Sequence, residues 1–566
     1  DPVQLTHLKR EFRSLSGLSH PNLIELYELV ANEECWFFTM DYVEGVNFRK
    51  AVLWREDVWA GADDQEIAET PTVQVSTGEF GGAQVGETFE GPQTSVSEEE
   101  PEDPENGRIL RPIDESFLTS VLVQLVEGIE ALHSHGKLHR DLKPENVLVD
   151  SDGRVFVLDF GLVTELESGV GRNGAEEQVN ALAGTPRYLA PEMATDKRLT
   201  GAADWYSLGV MLYEVLAGKP PFEGLSPMQE LFRKNSELPP DVAQVRDDVS
   251  GELCELCMDL LAIEPEERPG AAEILERLGE EPDRSSSSGM HQSPMLRAGT
   301  FVGRDEELER LEAAYRESFE ESRLGIVNVR GDSGVGKSAL VEEFLQQKSE
   351  SDEEMLVVAS RCYENESVPY KALDEVIDNL VPWLQDLADE EVRAILGEDI
   401  YALARLFPVL KRVDVIARAD VPMVDISREK LREDAFDALR RVFERIAESH
   451  RLVLFIDDVQ WGDDDSALLL QHLLAPPDPP TLLLVTTWRA EDTEASPFLA
   501  PFLELQERLA DDARLESLQI EPLAREDSRR LAEKLLARSE HSGPAAPTEE
   551  ADLDKIVQES SGNPLF

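Results

Sequence analysis

Positive charge is scarce in this chain: 54 lysines and arginines stand against 116 aspartates and glutamates in 566 residues, a formal net charge of -62. A surface this acidic repels phosphate backbones, so direct nucleic-acid binding is not expected of it. Solubility in a salty setting is the plain reading of the charge, and an acidic docking surface for basic partners is the sharper one. Cysteine is nearly absent as well. The four present (Cys35, Cys254, Cys257, Cys362) are too few and too scattered for a disulfide framework, which points to a reducing, cytoplasmic setting. No apolar run reaches the roughly 18–20 residues a membrane helix needs, and the opening residues do not read as a secretory leader. What is there is a soluble composition, 41% hydrophobic and 30% charged, long enough for about three domains with cores of their own.

One stretch carries dense chemistry: His139-Arg140-Asp141-Leu142-Lys143-Pro144-Glu145-Asn146, followed by Asp159-Phe160-Gly161. Phosphoryl transfer asks a protein for positioned charge around a nucleotide's phosphates more than for covalent work. Asp141 can accept the proton of an incoming hydroxyl, and Lys143 can steady the moving phosphate. Asn146 and Asp159 can hold magnesium. The H-R-D-x-x-x-x-N spacing with a following D-F-G is the protein-kinase signature. By these residues the chain resembles the bacterial members of the eukaryotic-like serine/threonine protein kinases.

The resemblance implies ATP and Mg2+ as cofactors and protein serine or threonine hydroxyls as substrates. Leu5, Leu8, Phe12, Leu15 and Leu18 recur at helical spacing with Glu11 on their face. An acid there wants a partner, and in kinases that glutamate pairs the ATP-binding lysine. Strands near Leu23–Val30 and Cys35–Met40 lead to Asp41-Tyr42-Val43-Glu44-Gly45, which resembles the hinge, with Met40 as gatekeeper and the Val43 backbone on adenine. Leu148 falls where kinases place the side chain beneath the adenine ring. Gly184-Thr185-Pro186-Arg187-Tyr188-Leu189-Ala190-Pro191-Glu192 resembles the end of an activation segment, in which Thr185 bonds to Asp141 and Lys143. Asp204 is implied to brace the catalytic-loop backbone, and Arg268 to pair with Glu192.

Arg140, just before Asp141, implies control by a phosphate on the activation loop. Between Gly161 and Gly184 the only hydroxyls are Thr164 and Ser168, and the acidic pair Glu176-Glu177 lies where a phosphate would otherwise sit; its partial replacement of that phosphate is the minority reading. The glycine-rich loop and the lysine partner of Glu11 normally lie further upstream than ten residues. The chain opens at Asp1 without them and stops at Phe566 directly after a motif, so both ends read as cut and the N-lobe as incomplete. Residues 1–566 alone are therefore expected to be a weak kinase. The glycines at Gly78, Gly81, Gly82 and Gly86 are no substitute, because they follow the hinge, sit among acids and precede no lysine-bearing strand. They belong to an insert rich in Glu, Gly, Thr, Ser and Pro, expected to be disordered. His133, His135 and His139 fit a helix end and the catalytic loop better than a metal site. Cys254-x-x-Cys257 lies among Leu253, Leu256, Leu260 and Leu261, a core-helix pattern with no second ligand pair.

A second nucleotide site follows. Gly331-Asp332-Ser333-Gly334-Val335-Gly336-Lys337-Ser338 fits G-x-x-x-x-G-K-[ST], after an apolar strand and before a helix, the context this motif requires. Backbone N–H groups there cradle phosphates, Lys337 reaches the β/γ oxygens and Ser338 ligates magnesium. Leu452-Val453-Leu454-Phe455-Ile456-Asp457-Asp458 reads as a buried parallel strand delivering two acids to its C-terminal edge. Asp457 would bind magnesium through water, and Asp458 would polarise the attacking water. Arg489, after a further strand, reads as a γ-phosphate sensor. With Val302-Gly303-Arg304-Asp305-Glu306 before them and Gly562-Asn563-Pro564 after, these features resemble the signal-transduction ATPases with numerous domains, a branch of the AAA-related P-loop fold. That resemblance implies a nucleotide switch, ATP-dependent oligomers and a helical lid whose Pro564 packs near adenine.

The expected architecture is multidomain, α+β then α/β: a kinase-like fold followed by a P-loop parallel-sheet domain with the start of a lid. Its boundaries are a partial N-lobe at 1–53, the acidic insert at 54–107, the C-lobe at 108–280, a Pro/Ser-rich linker at 281–298, the ATPase core at 299–520 and the lid at 521–566. The expected function is a serine/threonine kinase gated by an ATPase switch. The alternative is a switch scaffold whose kinase half is inactive.

Overall fold

The computed structural model describes residues 2–16, 18–31, 35–55, 112–158, 164–165, 187–194, 199–222, 227–246, 248–279, 301–352, 354–397, 400–418, 427–476, 479–492, 496–539 and 550–564. The insert at 54–107 lies almost wholly outside them, as does the linker at 281–298. Two compact units are present, one drawn from residues 7–290 and the other centred on residues 291–566.

In the first unit, which takes up the helix Pro2–Leu15 from residue 7 onward, that helix buries Leu8, Phe12 and Leu15. Phe12 meets Phe38 with ring centroids 6.3 Å apart. Glu11 is half-buried, at the margin of that face rather than within it, because the 100° step of a helix offsets it from Leu8 and Leu15. Strand β1 (Leu26–Ala31) lies beside β2 (Trp36–Met40). The next strand, β3 (Gly45–Asn47), runs into a short helix, Phe48–Leu53, which Asn47 caps by accepting from the Lys50 N–H at 2.9 Å. Asp114 caps the long helix Glu115–Ser134 in the same way, through the Phe117 N–H at 3.1 Å.

After β4 (Lys137–Leu138) come β5 (Val147–Asp150) and β6 (Val155–Val157). Strands β3, β5 and β6 form an antiparallel sheet in that order, with Asn47 opposite Leu148 and Leu148 opposite Phe156. A two-residue strand, β7 (Thr164–Glu165), pairs with β4. The helix Ala202–Ala217 is buried on every side from Ala203 onward, as its nearly all-apolar sequence dictates. Gly209 lets it approach the helix Gly251–Leu260: a Cβ there would stand 2.8 Å from the Leu260 Cβ. Cys254 and Cys257 are buried on that second helix, with the Cys257 thiol facing the Gly209 carbonyl at 3.7 Å.

The second unit is built on a five-stranded parallel sheet: β8 (Gly325–Gly331), β9 (Met355–Arg361), β11 (Arg451–Asp457), β12 (Leu483–Arg489) and β13 (Arg514–Ile520). The two-residue β10 (Glu366–Ser367) stands apart from it. The order is β13-β8-β12-β11-β9. Successive side chains alternate between two apolar layers. Leu452, Leu454, Ile456 and Leu484 pack into one, while Val453, Phe455, Leu483 and Val485 pack into the other. Helices cover both faces, so these strands read as continuous apolar runs. The non-sequential order puts the C-terminal ends of β8, β11 and β12 side by side, where open α/β sheets place ligands. Among the described residues no helix is long and apolar enough to cross a membrane.

Candidate functional sites

The loop between β4 and β5 carries Asp141, Lys143 and Asn146 within one hydrogen-bonded cluster. The Lys143 ammonium donates to Asp141 Oδ2 at 2.6 Å. The Asn146 amide donates to the Asp141 carbonyl at 2.9 Å and to Asp141 Oδ2 at 3.2 Å. Below them the fully buried Asp204, in the first turn of its helix, accepts from the His139 N–H at 2.9 Å and the Arg140 N–H at 2.8 Å. His133 Nε2 donates to the same carboxylate at 2.7 Å. Arg140 has a φ of 65°, a left-handed conformation costly for a side-chain-bearing residue, and the Asp204 bond to its N–H holds it there. The buried His139 ring accepts the Asp141 N–H at Nδ1 (3.3 Å) and donates from Nε2 to the Leu158 carbonyl (3.0 Å), a pattern that selects one neutral tautomer. Asp159, Phe160, Gly161, Ser168, Glu176, Glu177, Gly184 and Thr185 lie outside the described residues, and Thr164 enters only through its backbone.

Burial pushes the Asp204 carboxyl up, but the His133 hydrogen bond and the Arg140 N–H together hold it below the usual range. Folding therefore favours the ionised form. That stabilisation is complete above about pH 4, where the unfolded carboxyl is ionised, and is lost as pH falls through the lower folded value. Asp204→Asn is expected to cost the first unit about 3 kcal/mol near neutral pH. Urea unfolding should show the gap between wild type and variant closing at acid pH.

Residues 187–189, next to the segment of Thr185, are pinned from beneath. The Tyr188 hydroxyl donates to Glu214 at 2.8 Å, Ser207 donates to the Tyr188 carbonyl at 2.9 Å, and the buried Lys234 donates to the carbonyls of Leu189 (3.2 Å) and Arg187. Burial pushes the Lys234 ammonium down to about 8 against the upward pull of Glu230. Glu192 and Arg268 form a bidentate pair at 2.6 and 2.8 Å. Met40 ends β2, Asp41 accepts the Tyr27 hydroxyl, and Met40 and Val43 pack at the border of the same core that Leu158 borders. Leu148 is half-buried on β5, opposite Asn47.

In the second unit the loop Gly331–Ser338 joins β8 to the helix Lys337–Ser351, with left-handed φ values of 78° at Gly334 and 94° at Gly336 that glycine alone adopts freely. Lys337 curls back to donate to the carbonyls of Gly331 (3.1 Å) and Asp332 (2.8 Å). Burial pushes its ammonium down, while Asp458 and Asp457 pull it up. The Ser338 hydroxyl reaches both Asp457 oxygens, at 2.7 and 3.0 Å. Burial and the neighbouring Asp458 charge push the Asp457 carboxyl up, opposed by Arg361, Thr487 and Ser338. Asp458 sits at a φ of 55°, its N–H donating to the Thr487 hydroxyl at 2.9 Å and its carboxylate accepting from Gln460 at 3.0 Å.

Arg489 ends β12 opposite Gly331, with its N–H on Gln460 at 3.3 Å and its guanidinium 5.9 Å from the Trp461 ring. The lid turn is seated on the loop. The Asn563 amide donates to the Ser333 carbonyl at 3.0 Å, and the Pro564 ring comes within 3.9 Å of where a Cβ on Gly336 would stand. Arg304, buried, donates to the Val335 carbonyl at 3.2 Å and to the Glu521 carbonyl, tying the loop to the end of β13.

Sequence reasoning missed several of these groups. His133 lies in no motif that marks it as a partner of Asp204. Lys234 and Glu214 lie in no motif. Gln460, Thr487 and Arg361 stand around the acid pair without belonging to a named pattern. Arg361 has one usable signal, a cation ending an apolar strand, at the sheet edge where ligands bind.

A parallel sheet ordered around a phosphate-binding loop, with acids on the next strand but one, is the core of a P-loop ATPase. The Asp204-braced loop over an antiparallel sheet is the floor of a protein kinase. In agreement, residues 102–278 match the family model for the protein kinase domain, and residues 300–485 match that for the AAA ATPase domain. The chain is similar to serine/threonine-protein kinase PknB of Mycolicibacterium smegmatis, 26% identical over 272 residues, which are 47% of this chain and 34% of that protein. It is similar to serine/threonine-protein kinase PrkC of Bacillus subtilis, 25% identical over 272 residues, 48% of this chain and 33% of that one. CBL-interacting serine/threonine-protein kinase 16 of Arabidopsis thaliana is 30% identical over 277 residues, 48% and 46%. The chain thus spans less than half the length of each of these relatives. It carries a protein kinase domain related to serine/threonine kinases, followed by an AAA ATPase domain, and both imply the use of ATP.

Proposed function

We propose that the protein transfers the γ-phosphate of ATP to serine or threonine hydroxyls of other proteins, and that a nucleotide switch of the signal-transduction ATPase type governs this output. The observation that carries the kinase half is the convergence of Lys143 and Asn146 on the Asp141 carboxylate, over a backbone fixed by Asp204. In this reading Asp141 takes the proton of the attacking hydroxyl, Lys143 steadies the phosphate, and Asn146 with Asp159 holds magnesium. Glu11, Arg140 and Thr185 complete that machinery, with Met40, Asp41, Val43 and Leu148 around adenine.

The ATPase half rests on Lys337, Ser338, Asp457, Asp458 and Arg489. The Ser338 hydroxyl and both Asp457 oxygens already face one another within 3.0 Å, a donor set of hard oxygens that suits Mg2+. Bound there, the cation would neutralise phosphate charge. Lid closure by Pro564 and ATP-dependent assembly of several copies belong to this proposal, as do the domain limits given above.

The test is labelled phosphate transfer from ATP to a general serine/threonine substrate. Asp141→Asn should lower the rate by about a thousandfold, to near background. Label on tyrosine, or a rate untouched by Asp141→Asn, would sink the proposal.

A further inference from the structure

Two arginines of this chain meet a carboxylate in opposite ways. Arg268 is wholly buried and uses all five of its N–H donors, on Glu192, Ala202, Ala262 and Ile263. Such an arginine is committed to the fold. Arg361 is 55% exposed in its side chain and has one side-chain hydrogen bond, from Nη2 to Asp458 Oδ2 at 2.9 Å. Its Nε lies 3.7 Å from Asp457 Oδ2, too far for a bond. The pair is open to solvent on the arginine side alone, the Asp458 and Asp457 side chains being 13% and 7% exposed, and the guanidinium also lies 5.8 Å from the Tyr363 ring; its exposed part is open to a further partner.

Its place in the sheet says what that is. Arg361 is the last residue of β9, in register with Asp457 at the end of β11, about one strand spacing of 4.8 Å away. Arg489 ends β12 on the other side of β11. The acid pair is therefore flanked by two guanidinium groups at the C-terminal edge, with the phosphate-binding loop beyond β12. The Arg361 N–H donates to Glu375 at 2.8 Å, which fixes the strand end from which the side chain projects. A guanidinium offers several N–H groups in one plane, the geometry that matches a phosphate's oxygens.

We propose that Arg361 binds the terminal phosphate of a nucleoside triphosphate at this loop, so that the site distinguishes ATP from ADP through it. This deepens the ATPase reading above and rests on it. Asp457 and Asp458 hold the guanidinium beside the position of that phosphate. Arg361 acts together with Arg489 rather than in its place, since the two approach from opposite strands.

Calorimetric titration of ATP and of ADP into wild type, Arg361→Gln, Arg361→Lys and Lys337→Ala tests this without turnover. Arg361→Gln is expected to weaken ATP about tenfold and ADP less than about twofold, the loss of a charge-assisted contact made by one ligand only. Arg361→Lys should recover part of the ATP preference, because a point charge remains. Equal losses for ATP and ADP in Arg361→Gln, or no loss for either, would overturn the inference and leave the ATPase reading intact. Undiminished binding of both nucleotides by Lys337→Ala would instead overturn the reading on which it rests.

Discussion

Replacing Lys337 with alanine is expected to weaken ATP and ADP binding at the loop by about a hundredfold or more. The ammonium is the one side-chain cation on the loop itself, and two charge-assisted hydrogen bonds to phosphate at about 1.5–3 kcal/mol each exceed the roughly 2.7 kcal/mol of a hundredfold change. The side chain also donates to the Gly331 and Asp332 carbonyls, so its removal leaves two loop carbonyls without their bonds. Loosening of the loop and loss of the phosphate contact must therefore be told apart. The nucleotide-free melting temperature reads the first, and titration reads the second. A small change in melting with a large change in affinity assigns the effect to phosphate. Ser338→Ala gives the complementary pattern: weaker binding with Mg2+ present and none of that loss in EDTA, because Ser338 meets the Asp457 oxygens and not the loop carbonyls. Nucleotide affinity unchanged in Lys337→Ala would remove the basis for an ATP site here.

Much of both sites could be read in advance because their chemistry is local in sequence. Asp141, Lys143 and Asn146 lie within six residues, as do Gly334, Gly336, Lys337 and Ser338, and backbone geometry alone brings such neighbours together. The sheet was legible for a related reason, since strands covered on both faces must be apolar at every position, and Leu452–Ile456 is such a run. What escaped is contact across distance. His133 reaches Asp204 over 71 residues, Lys234 reaches Leu189 over 45, and Arg361 reaches Asp458 over 97. Nothing beside these residues marks their partners, and each becomes visible only when strand order or helix packing sets it in place. Glu11 shows the limit of periodicity: spacing put it on the apolar face, whereas the helix holds it half-buried at the edge. The stretch from Lys371 to Ala417 is similar, with four α-helices, a 3-10 helix and no motif among its described residues, buried through Leu373, Ile377, Leu403 and Val409 against the sheet's apolar layer.

Arg268→Met should destabilise the first unit by about 3–5 kcal/mol, the largest loss expected from a single substitution there. The Glu192 carboxylate would remain buried with neither a bidentate partner nor access to water, since the two side chains are 0% and 2% exposed. The carbonyls of Ala202, Ala262 and Ile263 would lose a donor as well, and the guanidinium would no longer lie 4.9 Å from the Tyr206 ring. The double variant Arg268→Met with Glu192→Leu removes more polar atoms yet should be less damaging, because it leaves no stranded charge. Urea unfolding of wild type, both single variants and the double variant gives the coupling directly. A double variant as unstable as the sum of the singles would mean that the carbonyl bonds, and not the charge pair, hold this corner. The distinction matters for function because Glu192 follows the Arg187–Leu189 segment that Lys234 and Ser207 pin. If the pair stabilises mainly by avoiding an unpaired charge, the double variant should keep that segment in place and retain phosphate transfer; if it is the anchor of the segment, transfer should fall even where the fold survives.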